Sequence, residues 1–242
     1  MSDLDYPVSL AVEDFVPVLL TACAAARLVA PAARTGRGGR HLAVSATALI
    51  AAGGLSKAGW KLIVALDGPD IQLLNKALFP LLSAGFLLLA LALLRFGLPG
   101  APDSRGGAPS GGRLPWVFAG LWAVVAGASA AFASTAPVMA LTIAAVTVCA
   151  VRLILLARAA GDTLAASAAG VWLLGMYVLG PLASRPDQSV ALQWVEQSCN
   201  TLTQAAAVLA AWRLAPVLSA GASTPVDPGT PPSTPDVRTV TS

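Results

Sequence analysis

Apolar residues run along this chain in long stretches, separated by turn-forming or charged segments such as "RTGRGGR" (34–40) and "GLPGAPDSRGGAPSGGR" (97–113). A helix that crosses a bilayer needs about 20 mostly apolar residues. Seven stretches meet that requirement, at about 7–28, 42–66, 73–95, 115–134, 137–157, 163–183 and 190–213. The pattern predicts an all-α integral membrane protein with seven transmembrane helices over residues 1–215. The first and seventh stretches are the least apolar, which leaves six spans as the alternative count. The tail from residue 216 is rich in Pro, Ser and Thr; it has too little apolar surface to fold and is expected to be a disordered tail. Residues 98–114 read as a flexible linker.

Composition strengthens this reading. Of 242 residues, 56% are hydrophobic and only 11% charged, against about 25% charged in soluble domains. Mean hydropathy is +0.74. Three cysteines, Cys23, Cys149 and Cys199, lie in apolar stretches without CxxC spacing and read as small buried residues. The acidic start "MSDLDYPVSL" lacks the basic region of a signal peptide. The abundance of Ala, Arg, Gly and Pro points to a high-GC bacterial genome.

The net charge of +3 matters less than its placement. One set of helix ends and loops holds Arg27, Arg34, Arg37, Arg40, Arg95, Arg105, Arg113, Arg152, Arg158 and Arg213; the other holds only Lys76 and Arg185. Positive residues favour the cytoplasmic side. The expected location is therefore the inner (plasma) membrane, with the N-terminus outside and the C-terminus cytoplasmic. No basic block interleaved with aromatics is present, which argues against nucleic acid as a partner; the lipid bilayer is the expected one.

The linker after span three suggests a duplication flanking span four. Trp60 precedes Gly68-Pro69 at the spacing that separates Trp172 from Gly180-Pro181. Span one reads "TACAAARL" and span five "TVCAVRL"; span three ends in "LALALLR" and span seven in "VLAAWRL". Convergent use of an interfacial Trp and a Gly-Pro helix stop gives the same match without duplication. A true repeat makes a 3+1+3 parallel layout, which resembles that of SWEET-type transporters in architecture alone; no Pro-Gln helix motif accompanies it. Retinal proteins also have seven spans, but span seven here carries no lysine for a Schiff base. No family is assigned.

Two lysines stand inside span two. Counted at 1.5 Å per residue from the outer end near Asp67, Lys61 lies roughly 9 Å deep and Lys57 roughly 15 Å. A lysine near the midplane costs about 2.5–3.5 kcal/mol on insertion scales, so such residues face the bundle interior and find partners. Glu13 in span one and Glu196 in span seven lie at matching depth. Gln193, Glu196, Gln197, Asn200 and Gln204 repeat three or four apart on span seven, and Lys57, Trp60, Lys61 and Val64 share one face of span two. Pro17 and Pro80 are placed to kink spans one and three and release carbonyls.

These positions define a candidate cluster of Glu13, Lys57, Trp60, Lys61, Trp194, Glu196, Gln197 and Asn200 around an outward-facing polar cavity. Lys61 is expected on Glu13 or Glu196, Lys57 on Gln197 or Asn200, and Trp60 and Trp194 as stacking surfaces. A buried ion pair that fixes helix register is the competing reading. The favoured function is a transporter or binding protein for a small polar or anionic solute. The alternatives are a sensor or assembly subunit without chemistry, or an intramembrane enzyme with Glu196 as base and Lys57 as acid partner. One histidine, His41, and no acidic cluster at metal spacing give no metal site. No phosphate loop or nucleophile elbow is present, so no cofactor is expected. Oligomeric state stays open.

Overall fold

The computed structural model describes residues 7–97, 114–183 and 189–220, all in helices and short turns. The helices are α1 (Val8–Glu13), α2 (Phe15–Arg27), α3 (Val29–Arg34), α4 (Arg37–Ala65), α5 (Gln72–Leu94), α6 (Leu114–Ala131), α7 (Ala136–Ala159), α8 (Thr163–Ala183) and α9 (Val190–Ala220). Taking α1–α3 as one broken helix over Val8–Arg34, five helices are long and apolar enough to cross a membrane. Pro115–Ala131 and Thr163–Leu179 are shorter apolar helices, roughly 25 Å long and at the lower limit for a span. This all-helical, apolar architecture accords with a multi-pass membrane protein. The linker at 98–113 and the tail beyond 220 lie outside the described residues. Helix α9 itself extends to Ala220, past the expected end of the last span, with Pro216 inside it.

The first span is broken twice by the same chemistry. Helix α1 stops at Glu13 and α2 at Arg27, each four residues before a proline. Pro17 and Pro31 have no N–H to offer the carbonyls of Glu13 and Arg27, so the i→i−4 ladder fails at those points. The expected kink at Pro17 is thus a local interruption, with Asp14 between α1 and α2 in helical torsions and its N–H still on the Leu10 carbonyl. Pro80 acts differently. Helix α5 runs through it unbroken, and the Pro80 carbonyl accepts from the Ser83 hydroxyl at 3.0 Å and the Trp122 indole at 3.2 Å. Trp122 also donates to Ser83 Oγ at 3.0 Å, pinning α6 to α5.

Packing is close because the facing residues are small. Ala24, Ala43, Ala46, Ala90, Ala150, Ala169 and Ala210 belong to one buried core with Ile50, Phe86, Leu93, Leu156 and Leu214. A Cβ on Gly85 of α5 would lie 3.0 Å from the Ile50 backbone nitrogen and 3.1 Å from the Ala46 carbonyl of α4, so these two backbones nearly touch. Membrane helices pack this way because lipid supplies no hydrophobic drive between them and close van der Waals contact must substitute. Large apolar side chains point outward instead: Leu19, Leu73, Val124, Leu174 and Leu202 are all more than half exposed.

Helix α4 packs against α5, α1, α2 and α3; α5 also packs against α7; α7 against α8; α8 against α9; and α9 against α2. Helix α6 rests on α7 and α5 at the outside. The two Gly-Pro pairs sit in different settings. Gly68-Pro69 follows the end of α4, whereas α8 continues to Ala183 through Gly180 and Pro181. At the end of α4, the N–H groups of Asp67 and Gly68 close back on Val64 and Ile63, with Asp67 in the left-handed region at φ 57°. Aspartate tolerates that conformation better than most residues.

The end of the bundle holding α3 is tied by arginines. Arg152 was expected at a helix end but stands inside α7, and its long side chain donates to the Phe96 carbonyl at 2.7 Å, covering the C-terminus of α5. Arg34 donates to the Ser219 carbonyl at 2.6 Å. Cations at such positions satisfy the open carbonyls and the negative end of the helix dipole. In the α7–α8 turn, Gly161 at φ 72° ends α7. Asp162 then caps α8 by accepting the Ala165 N–H at 2.9 Å, and its other oxygen takes Arg213 Nε at 2.9 Å.

The bond from the Ala165 amide, followed by Arg213, holds the Asp162 carboxyl below its ordinary range. The charged form is favoured on folding, so its stabilisation is complete above about pH 5 and fades as pH falls below the unfolded value of about 3.9 toward the lowered folded one. The difference in Tm between the wild type and Asp162→Ala should be constant from pH 5 to 8 and shrink between pH 4 and 3. Thermal unfolding in detergent checks this, and a pH-independent gap would contradict it.

Candidate functional site

The break after Glu13 sets two successive carboxylates against α4 and α9. Asp14 is buried and its Oδ2 lies 2.6 Å from Lys61 Nζ, with the two side chains only 10% and 15% exposed. Lys61 was expected on Glu13 or Glu196; the structure sets Asp14, which was not anticipated, against it. Asp14 keeps helical torsions at φ −54° and ψ −24° and stands about 100° round the axis from Glu13, on the side toward α4. Glu13 instead accepts a 2.7 Å hydrogen bond from the Thr201 hydroxyl of α9.

Lys57, one turn deeper than Lys61, is half-buried and lies within electrostatic reach of Lys61, Asp14 and Glu196. Charged neighbours thus stand where the amides Gln197 and Asn200 were expected. Five ionisable groups therefore gather at one end of the bundle: Glu13, Asp14, Lys57, Lys61 and Glu196. The structure brings together four of the anticipated site residues and adds Asp14.

The polar face of α9 continues inward. Asn200 Oδ1 accepts from Gln204 Nε2 at 3.1 Å, and Gln204 Oε1 accepts from the Trp172 indole at 3.2 Å. Trp172 in turn faces Phe86 with ring centroids 6.3 Å apart. Gln197 is 6% exposed. Its Oε1, Gln193 Oε1 and Glu13 Oε2 are buried without hydrogen-bond partners. The sequence pattern of α9 located this face, while Thr201 and Trp172 were missed because hydroxyl and indole positions are common in apolar helices.

The two tryptophans of the anticipated cluster do not line a ligand surface together. Trp60 is buried and donates its indole N–H to Asp70 Oδ1 at 2.7 Å, locking the turn after α4. This bond, then one from Gln72, lowers the Asp70 carboxyl below its ordinary range. Trp194 is 38% exposed at the rim. Among the cysteines, Cys149 is fully buried as expected and Cys23 is exposed, which corrects the reading of all three as buried. His41 is exposed on α4. Among the described residues no group of three His, Cys, Asp or Glu side chains is placed to hold a metal.

A cavity of about 20 Å³ lies on the bundle axis between Thr21, Phe86, Leu153, Trp172 and Ala207, room for about one water. At the end opposite the charged cluster a cleft of about 810 Å³ opens between α2–α3 and α9, beside Arg27, Asp162, Trp212, Arg213 and Pro216. Comparison of the chain with family models, with curated proteins and with solved structures finds no match.

Removing one member of a buried ion pair strands the other charge and costs about 3–5 kcal/mol, while replacing both by apolar residues is often neutral. Asp14→Leu or Lys61→Met alone should therefore lower unfolding free energy by that order, and the double variant should recover most of it. Additive losses in the double variant, measured by denaturant unfolding in detergent, would rule out the pair.

Proposed function

We propose that the chain is a small-solute transporter of a bacterial inner membrane, with seven spans, the N-terminus outside and the charged cluster at the outer end. The observation that carries this reading is the polar line on one turn of α9, where Thr201 is bonded to Glu13, and Gln204 to Asn200 and Trp172. A clamp that only fixed register would require the Asp14–Lys61 pair alone. Buried polar side chains in a membrane helix are costly and mark solute or ion paths. The cleft at the arginine-bearing end gives a solute path room on that side.

The neighbour relations also support the 3+1+3 repeat. Exchanging spans one, two and three for five, six and seven turns the α2–α9 contact into the α7–α5 contact, and the α4–α5 contact into the α8–α9 contact. Helix α6 stays outside this ring. Trp60 and Trp172, paired by the exchange, are both buried.

Reconstituted into liposomes, the protein should accumulate at least one member of a panel of labelled small amines, sugars and carboxylates faster than empty vesicles do. Gln204→Leu, which cuts the polar line, should slow that uptake about tenfold or more while leaving the thermal transition cooperative. Uptake indistinguishable from empty liposomes for the whole panel would sink the transporter reading.

Topology is checked separately. In a cysteine-free background, needed because Cys23 is exposed, a cysteine at position 109 should resist a membrane-impermeant maleimide applied to the periplasmic face. Rapid labelling there would invert the orientation.

A further inference from the structure

The unsatisfied atoms of the cluster specify the chemistry of its ligand. Glu13, Asp14 and Glu196 supply three negative charges and Lys57 and Lys61 two positive ones, so the group is formally one unit negative once Asp14 is included. The buried atoms left without partners are all acceptors: Glu13 Oε2, Gln193 Oε1 and Gln197 Oε1. Gln197 is more than nine-tenths buried. Gln193, Gln197 and Thr201 follow one another at four-residue spacing on α9, so they lie one turn apart on one face. Thr201 is bonded to Glu13, which directs that face at the break between α1 and α2. An anion brought to this site would add acceptors to acceptors. A species carrying N–H donors and positive charge would satisfy them.

Asp14 already holds such a group, the ammonium of Lys61 at 2.6 Å. That ammonium sits on a flexible four-carbon stem that can withdraw. We infer that the cluster binds a hydrogen-bond-donating organic cation, of the primary ammonium class, which competes with Lys61 for Asp14 and donates to Glu13 and Gln197. This deepens the transporter reading and rests on it for the role of the site, and it reverses the anion preference expected from the lysines alone. Lys57 and Lys61 then act as internal counter-cations that keep the carboxylates neutralised while the site is empty.

The test uses the full chain in nanodiscs and four probes: n-butylammonium, tetramethylammonium, acetate and inorganic phosphate. Tetramethylammonium has the charge without an N–H. n-Butylammonium should raise the unfolding temperature in a saturable way and the other three should not. Glu13→Gln and Gln197→Leu should each weaken n-butylammonium binding about tenfold, the scale of one lost bond to a charged group. Lys61→Met, which removes the internal competitor, should tighten it. Stabilisation by acetate or phosphate in place of the amine, equal stabilisation by tetramethylammonium, or unchanged affinity in Gln197→Leu would each overturn the assignment. Saturable amine binding without uptake into liposomes would remove the transporter reading and leave the ligand class standing. Uptake of a carboxylate with no amine binding would do the reverse.

Discussion

A charge inside a bilayer must be matched, and the contact between Asp14 and Lys61 is how this bundle meets that requirement at its charged end. Lys61 sits on a helix that must otherwise present small apolar residues to its neighbours. Without a carboxylate beside it, α4 would turn the lysine toward water and take Gly53 and Gly54 out of the interface, where added side chains would strike Leu81 and Val18. The pair therefore fixes the rotation of α4, and α4 is the helix on which both the first span and α5 rest. Register and charge balance are one constraint here. Truncating either partner would strand a charge where solvation is poor, whereas replacing both by apolar residues would leave no charge to strand.

Neighbouring carboxylates serve two helices here. Asp14 keeps helical torsions, so it stands about 100° round the axis from Glu13. Glu13 meets Thr201 of α9 and Asp14 meets Lys61 of α4, while Pro17 offers no N–H to the Glu13 carbonyl. The break at Leu28 follows the same rule through Pro31 and lets α3 turn beneath α4. Pro80 shows that a proline alone does not break a span: it too offers no N–H to the carbonyl four residues back, yet α5 continues, and Ser83 and Trp122 donate to the carbonyl of Pro80 itself.

Much of this was legible in the residues. The apolar stretches give the helices because length and composition decide whether a segment can cross lipid, and α4, α5 and α7 follow their expected ranges closely. The polar face of α9 could be read from spacing, since a regular helix preserves it. Asp14 could not be read the same way. Depth and face were counted along an ideal helix, and the first span is not one; the usable signal was Pro17 standing four residues past Glu13. Arg152 was misplaced for a related reason, because a long side chain lets a residue inside α7 serve the end of α5. The Trp60–Asp70 bond depends on how the chain turns after α4, which the left-handed Asp67 determines and periodicity does not encode.

The distribution of space in the bundle bears on how the site works. The axis holds room for about one water, and the cleft at the arginine-bearing end is some forty times larger in volume. A permanently open polar cavity would leave Lys57 and Lys61 hydrated and would need no Asp14. A permanently closed one would have no reason to keep three acceptor oxygens buried and unbonded, since each costs about 1–3 kcal/mol that an apolar residue would save. On the proposed transporter reading, those oxygens would acquire donors in a second arrangement in which the first span and the α9 face part. A ligand shifts such an equilibrium only by its differential affinity for the two forms.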